Sequence, residues 1–414
     1  MLAVLRRRDF SLLWLSGLIS VAGDWVLMTA LPYYVYVTTG STLATAGMTA
    51  AELAPAILLS SFTGVFADRW NRKHILVVAN LAQALVVATL LLAGDGWLWV
   101  VYVVAALQST AAAFSQPAEA ALLPSLVLRE ELVQANALNA LNNRLGRLSG
   151  VPLGAALYSW WGLDAVVVVD ALTFVFAAAL VAPIAVPASA PDPDADTDSD
   201  RDTDGDQPHF WREWTAGLRV VRDDRTIAVL FVVFGLMTFG GTMLDPLYVP
   251  WIRDVLDGGV GVVAALTTTH SVAGVAGSLL VGALGSHISA RTLMGWGSVV
   301  AGCLLLAKFN VPVLGVAIAL TAISGMTAVA SSVGVETLAQ ERIPEHVRGR
   351  VFGSLQAWIW LASLLGAVIG GVLGELLSVR VGINVAAALV IVAGAVVLVA
   401  IPRRPRQDVI RIEP

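Results

Sequence analysis

The stretch Gly64-Val65-Phe66-Ala67-Asp68-Arg69-Trp70-Asn71-Arg72-Lys73 joins two apolar runs, near 45–66 and 74–94. Each run is about as long as a helix needs to cross a bilayer, roughly 20 residues. The turn between them is short and polar. It holds one carboxylate, Asp68, among the cations Arg69, Arg72 and Lys73, with Gly64 one helical turn upstream. Glycine lets two membrane helices approach closely. Cations gather in loops that stay in the cytoplasm. The stretch therefore reads as the inner turn of a membrane-spanning helical hairpin.

Working outward on the same ruler gives about twelve spans in all. The first six lie near 10–37, 45–66, 74–94, 97–120, 138–160 and 163–184. The second six lie near 226–248, 261–284, 292–308, 312–334, 350–376 and 381–401. Composition agrees. Of 414 residues, 57% are hydrophobic and only 13% charged, against about 25% charged in an ordinary soluble domain. A soluble enzyme is excluded on that ground. The net charge of −5 argues against a nucleic-acid partner, which requires a basic face. The single cysteine, Cys303, and five scattered histidines offer neither a disulfide framework nor metal-ligand spacing. No cofactor or nucleotide motif is present. The first run is too long for a signal peptide and reads as a retained helix.

Arginine sets the expected topology. Arg6, Arg7, Arg8, Arg69, Arg72, Lys73, Arg129, Arg144, Arg147, Arg212, Arg219, Arg222, Arg225, Arg291, Arg342, Arg348, Arg350, Arg403, Arg404 and Arg406 share one side if spans alternate. The other side holds Arg253, Lys308 and Arg380. The first set marks the cytoplasm. The expected organisation is an N-terminal six-helix bundle (1–185), a cytoplasmic linker (186–224), a C-terminal six-helix bundle (225–402) and a cytoplasmic tail (403–414). Inside the linker, aspartate fills alternate positions from Asp192 to Asp206, a density of like charge that cannot pack and reads as disordered. Phe210, Trp211, Trp214, Leu218 and Val221 then recur at helical spacing, as in an amphipathic helix lying on the inner membrane face.

The halves repeat. One register lays Gly64 on Gly282, Phe66 on Leu284 and Lys73 on Arg291. The loop with Pro124, Arg129, Glu130 and Glu131 matches that with Pro344, Glu345, Arg348 and Arg350. Each leads into a glycine-bearing helix, with Gly146, Gly150 and Gly154 in one and Gly366, Gly370 and Gly374 in the other. Parallel six-helix repeats are a transporter layout, with the substrate site at their interface.

The opening stretch closely resembles the loop between helices two and three of the major facilitator superfamily, G-x-L-A-D-R-x-x-R-K, with Phe66 in the leucine place. The resemblance implies that Gly64, Asp68, Arg69, Arg72 and Lys73 form a gating motif, an ionic latch on the cytoplasmic side. Ser286 stands in the second copy where Asp68 stands in the first, so the latch is expected to be one-sided. The fifth span, with Arg144, Gly146, Gly150, Pro152 and Gly154, resembles the helix-five motif of the antiporter branch. It departs in placing Val151 between Gly150 and Pro152. The helix-four arginine of proton-coupled drug exporters is missing, and Gln108 lies near its place. With the opening RRRDFSLLWLSGLISVAGD and the loops 124–139 and 341–353, nearly the whole chain resembles the third drug-antiporter group, which includes macrolide efflux proteins and the enterobactin exporter.

Ionisable groups inside a membrane mark pathways by default. Asp24, Glu52, Asp170, Asp245 and His270 fall within spans and are the candidate proton-coupling and substrate-pathway residues. Asp24 lies near mid-bilayer. The repeat register also lays Glu52 on His270, a candidate pseudo-symmetric titrating pair. The expected protein is an all-α, twelve-helix, non-enzymatic exporter of small amphipathic molecules by proton antiport, needing no cofactor and no metal. It is expected as a monomer in the bilayer of a bacterial inner membrane, with both termini cytoplasmic. A siderophore exporter or a lysophospholipid flippase is the alternative within transport, and a transporter-like sensor or scaffold the alternative outside it.

Overall fold

The computed structural model describes residues 4–92, 97–185, 225–284, 288–343 and 348–401; of 60–69, 226, 284, 342 and 348–350 it describes the backbone alone. The acidic linker, the amphipathic helix expected after it, Ser286, Pro344, Glu345 and the tail lie outside the described residues, as do the side chains of Gly64 to Arg69.

Helix α1 (Arg8–Thr39) ends at Gly40, whose φ of 65° is open to glycine and whose N–H reaches the Tyr36 carbonyl at 2.7 Å. Helix α2 (Thr42–Arg69) follows at once. Helix α3 (Arg72–Ala88) starts at Asn71, whose side chain accepts from the Lys73 and His74 N–H groups at 3.1 and 3.4 Å. This side-chain cap satisfies donors that have no partner inside the helix. Helix α4 (Leu98–Leu122) comes next.

Helix α5 (Leu132–Val181) is 50 residues long. At about 1.5 Å per residue it would span roughly 75 Å, far beyond a hydrocarbon core of about 30 Å. It is broken at Gly162, with φ 76° and ψ −166°. Both of its ends return to the start of α1. The Trp14 indole donates to the Leu138 carbonyl at 2.9 Å, and the Ser16 hydroxyl to the Ala177 carbonyl at 3.1 Å. The arms 132–161 and 163–181 are therefore two antiparallel crossings, divided where the sequence placed the gap between its fifth and sixth spans.

The second half begins with α6 (Arg225–Met243) and α7 (Asp245–Asp254). Then come α8 (Val260–Leu284), α9 (Ala290–Asn310), α10 (Leu314–Arg342), α11 (Arg348–Leu376) and α12 (Val379–Ala400). Helices α6 and α7 form one crossing, interrupted where Pro246 cannot donate a backbone hydrogen bond. Hydropathy alone ends this span near 248, and the structure carries it to Asp254. Asp245, Pro246 and Pro250 look like a terminus in sequence but sit inside a broken membrane helix. Eleven stretches among the described residues are long and apolar enough to cross a membrane. The one holding α5 crosses twice, which makes twelve crossings.

The two glycine series pack equivalently. A β-carbon at Gly146, Gly150 or Gly154 would collide with Val21, Ala22 and Val26 of α1. One at Gly366 or Gly370 would collide with Phe239 and Met243 of α6. In each half the fifth crossing thus lies backbone to backbone on the first. Large apolar side chains face outward, including Leu279 at 73% and Val399 at 86% exposure. Water would penalise such a surface and lipid does not.

The halves meet at the end of the bundle away from the Arg72, Lys73 and Arg291 turns. Tyr33, Tyr36, Val151 and Ala155 pack with Leu247, Trp251, Ile252, Val263 and Ala264. The Tyr36 hydroxyl donates to the Asp254 carboxylate. Glu375 of α11 accepts from the N–H of Thr42 at 2.9 Å. The Thr42 hydroxyl donates to the Gly371 carbonyl at 2.8 Å.

Candidate functional site

The glycine stripe that fixes α5 to α1 leaves Arg147 at the junction between the halves. Its guanidinium lies over the Trp25 ring at 4.7 Å. Its Nε is buried and has no hydrogen-bond partner among the described residues. Arg147 and His270 line two adjoining cavities of about 310 and 380 Å³. The first also touches Asn143, Arg144, Ser271 and Ser332. The second reaches deeper, to Asp245, Tyr248, Lys308, Phe309 and Thr321. These volumes fall together in the range of small-molecule sites.

The sequence-nominated carboxylates separate into pairs. Asp24 on α1 and Asp170 on the second arm of α5 are electrostatic neighbours. Asp170 is fully buried, and a β-carbon on Gly23 would fall on its carboxylate. Its Oδ1 faces the Thr173 hydroxyl at 3.5 Å, and its Oδ2 has no partner among the described residues. Two acids therefore share one interior place between α1 and α5. Glu52 of α2 has Asp245, the first residue of α7, as its charged neighbour. That pair bridges the halves.

His270 belongs elsewhere. Its charged neighbours are Lys308 and Arg147, and Glu52 is not among them. The sequence register that laid Glu52 on His270 describes helix position, and the two side chains serve different clusters. In sequence Lys308 stands only as an exception to the arginine bias. It is 6% exposed, and its ammonium sits 4.4 Å from the Phe309 ring, 5.3 Å from Tyr248 and 5.6 Å from Trp251. A lysine beside an aromatic within a span was the available signal.

The motif cations act within each half. Arg72 donates to the Ala121 carbonyl at 3.0 Å and Lys73 to the Ile184 carbonyl at 3.0 Å, at the ends of α4 and α5. Arg291 does the same in the second half, donating to the carbonyls of Leu398 and Ile401 at the end of α12. A cation at a helix C-terminus satisfies orphan carbonyls and complements the dipole. Asn71 caps α3 as Ser289 caps α9. Of the helix-five residues, Gly146, Gly150 and Gly154 hold α1, while Pro152 lines a shallow cleft toward α8.

Two six-helix halves around a polar cavity, closed against each other at one end, define a multi-pass membrane transport protein. The chain belongs to the Major Facilitator Superfamily, whose family model matches residues 13–248 and 230–412. It is therefore a secondary transporter and not an enzyme. It is 27% identical to macrolide efflux protein A of Streptococcus pyogenes over 392 residues, covering 91% of this chain and 90% of that protein. The uncharacterized MFS-type transporter YfiS of Bacillus subtilis is 26% identical over 414 residues, covering 93% of this chain and 91% of that protein. Among solved structures, the fold superposes on a bacterial homologue of the human lysosomal transporter Spinster with a TM-score of 0.72 at 15% identity, covering 95% of this chain and 96% of that one. It superposes on the nucleoside transporter NupG with a TM-score of 0.75 at 12% identity, covering 96% of this chain and 100% of that one.

Proposed function

We propose that this transporter exports amphipathic organic molecules across a bacterial cell membrane by alternating access coupled to proton antiport. The observation that carries the reading is the cavity between the halves, where Arg147, Asp245, Tyr248, His270 and Lys308 meet aromatic and aliphatic walls. Such a site takes a ligand with both an apolar body and a polar group. The distant likeness to macrolide efflux protein A over nine-tenths of the chain supports efflux as the direction. The arginine-rich side is cytoplasmic in this reading, with both termini and the linker on it. Asp24 with Asp170 carries the proton, since a paired interior carboxyl can exchange protons as the two sides open in turn. Asp68, with Arg69, Arg72 and Lys73, governs the cytoplasmic gate.

Everted vesicles test the reading. With an imposed proton gradient, wild-type vesicles are expected to accumulate members of a macrolide, dye and siderophore panel. Accumulation should collapse when the gradient is dissipated. Accumulation of no panel member, or accumulation indifferent to the gradient, removes proton-driven efflux.

A further inference from the structure

We infer that Lys308 is the anchor for an anionic group, a carboxylate or similar oxyanion, on the transported molecule. The inference rests on the export reading above and names the substrate class of that same cavity.

Lys308 is a long cation taken almost wholly out of water. An ammonium has three donors and no acceptor. Among the described residues it forms no ion pair, the one salt bridge present being Arg7 with Glu131. The rings of Phe309, Tyr248 and Trp251 surround it. Ring quadrupoles offset part of the desolvation of a cation but do not accept its N–H bonds. Two residues of the cavity lining also carry buried polar atoms that lack partners among the described residues, the Arg147 Nε and the Thr321 hydroxyl. Lys308 thus shares a space of about 380 Å³ with Arg147 and Thr321.

Among the residues that line this cavity the charges do not cancel: Arg147 and Lys308 stand against one carboxylate, Asp245, with His270 beside the cations, while Glu52, the charged neighbour of Asp245, is not part of the lining. A ligand bearing one negative charge restores balance on that lining and gives the Lys308 ammonium an acceptor. Its apolar body then lies against Tyr248, Leu305 and Phe309. A cationic amphipath would meet two fixed like charges instead.

The test uses the full chain in lipid nanodiscs and tritiated naphthaleneacetate, competed by naphthaleneacetamide and by the matched naphthyl ethylamine. These three share a ring and differ in charge. The acid is expected to compete at least tenfold better than the amide or the amine. Lys308→Gln should weaken the acid at least tenfold and level the three, Lys308→Arg should retain the preference, and Asp245→Asn should strengthen acid binding. No binding of the acid to the wild type, or equal or better competition by the amide or amine, overturns the inference. So does a preference that survives Lys308→Gln, or a K308Q defect that Asp245→Asn repairs, since Lys308 would then only balance Asp245. The wild-type competition series decides alone should K308Q fail to fold. Macrolide accumulation in everted vesicles, measured in parallel, separates the two readings. Accumulation without acid preference overturns only the anion site, and acid binding without accumulation of any panel member overturns export.

Discussion

The carboxylate of Glu375, near the end of α11, accepts the backbone N–H of Thr42 at 2.9 Å and the Ser41 hydroxyl at 3.0 Å. A side chain of one half thereby caps the first turn of a helix in the other, where an anion meets the positive end of the helix dipole. The cap exists only while that face is closed. Losing such a cap costs about 1 kcal/mol, roughly a fivefold change in a two-state equilibrium. Glu375→Ala should therefore open this face more often. A cysteine at Ala155, buried in the seam between halves, would report it once Cys303 is replaced by serine. We expect its labelling rate to rise severalfold in E375A, and further when Tyr36→Phe removes the contact to Asp254. An unchanged rate in both would show that apolar packing alone holds the seam.

The glycine stripe makes a stability prediction. Gly150 lies directly under Ala22 and Trp25, with no room for a β-carbon. Gly150→Val should cost about 1–3 kcal/mol by overpacking, lowering the melting temperature in nanodiscs and the yield of monodisperse protein. Gly241→Ala is the control, because nothing stands within 4 Å of the added carbon. Equal melting temperatures for G150V and wild type would remove the close-contact role.

The helical architecture was legible because a bilayer fixes length and polarity together, so twelve apolar runs could be read almost directly. Gly162 was legible as a gap, and its left-handed backbone shows why the gap needs a single residue. The end of the seventh crossing is not legible, because Asp245, Pro246 and Pro250 lower local hydropathy while tertiary packing keeps the chain inside the membrane. Site pairing was hidden for another reason. Register along a helix says that Glu52 and His270 occupy equivalent places, but pairing depends on rotation and on neighbours from other helices. Asp170 against Asp24, Glu52 against Asp245 and Lys308 against Tyr248 and Trp251 all bring together residues far apart in sequence. Arg291 over the end of α12, matching Lys73 over the end of α5, is the counterexample. There a local rule, a cation at a helix C-terminus, recurs with the repeat itself.

Topology can be tested without transport. In the orientation proposed above the linker is cytoplasmic. A cysteine at Ser199 in a Cys303→Ser background should stay unlabelled by an impermeant maleimide in intact cells and label after permeabilisation. Labelling in intact cells would reverse the orientation. Deleting Asp194 to Asp204 should leave transport near wild type, since alternate aspartates cannot form a packed element.

The carboxyls of Asp24 and Asp170 are electrostatic neighbours, and Asp170 is fully buried with one oxygen unpartnered among the described residues. Groups that interact this closely bind protons as a pair, so the loss of either should disturb the same step. Asp24→Asn keeps shape and removes the exchangeable proton. It should abolish uphill, proton-driven accumulation while downhill substrate exchange survives, and it should erase the pH dependence of substrate binding. Asp170→Asn should do the same to a similar degree. The double variant should be no worse than either single one, because a unit broken once cannot be broken again. Glu52→Gln and His270→Gln should retain coupling and alter affinity instead, since Glu52 faces Asp245 and His270 faces the cavity cations. The measurement is a double-mutant cycle on accumulation ratio and on binding at several pH values. Strict additivity would mean that the two aspartates act independently. Normal uphill transport in D24N, with normal pH dependence, would make Asp24 a structural acid and shift the proton path to the Glu52–Asp245 pair.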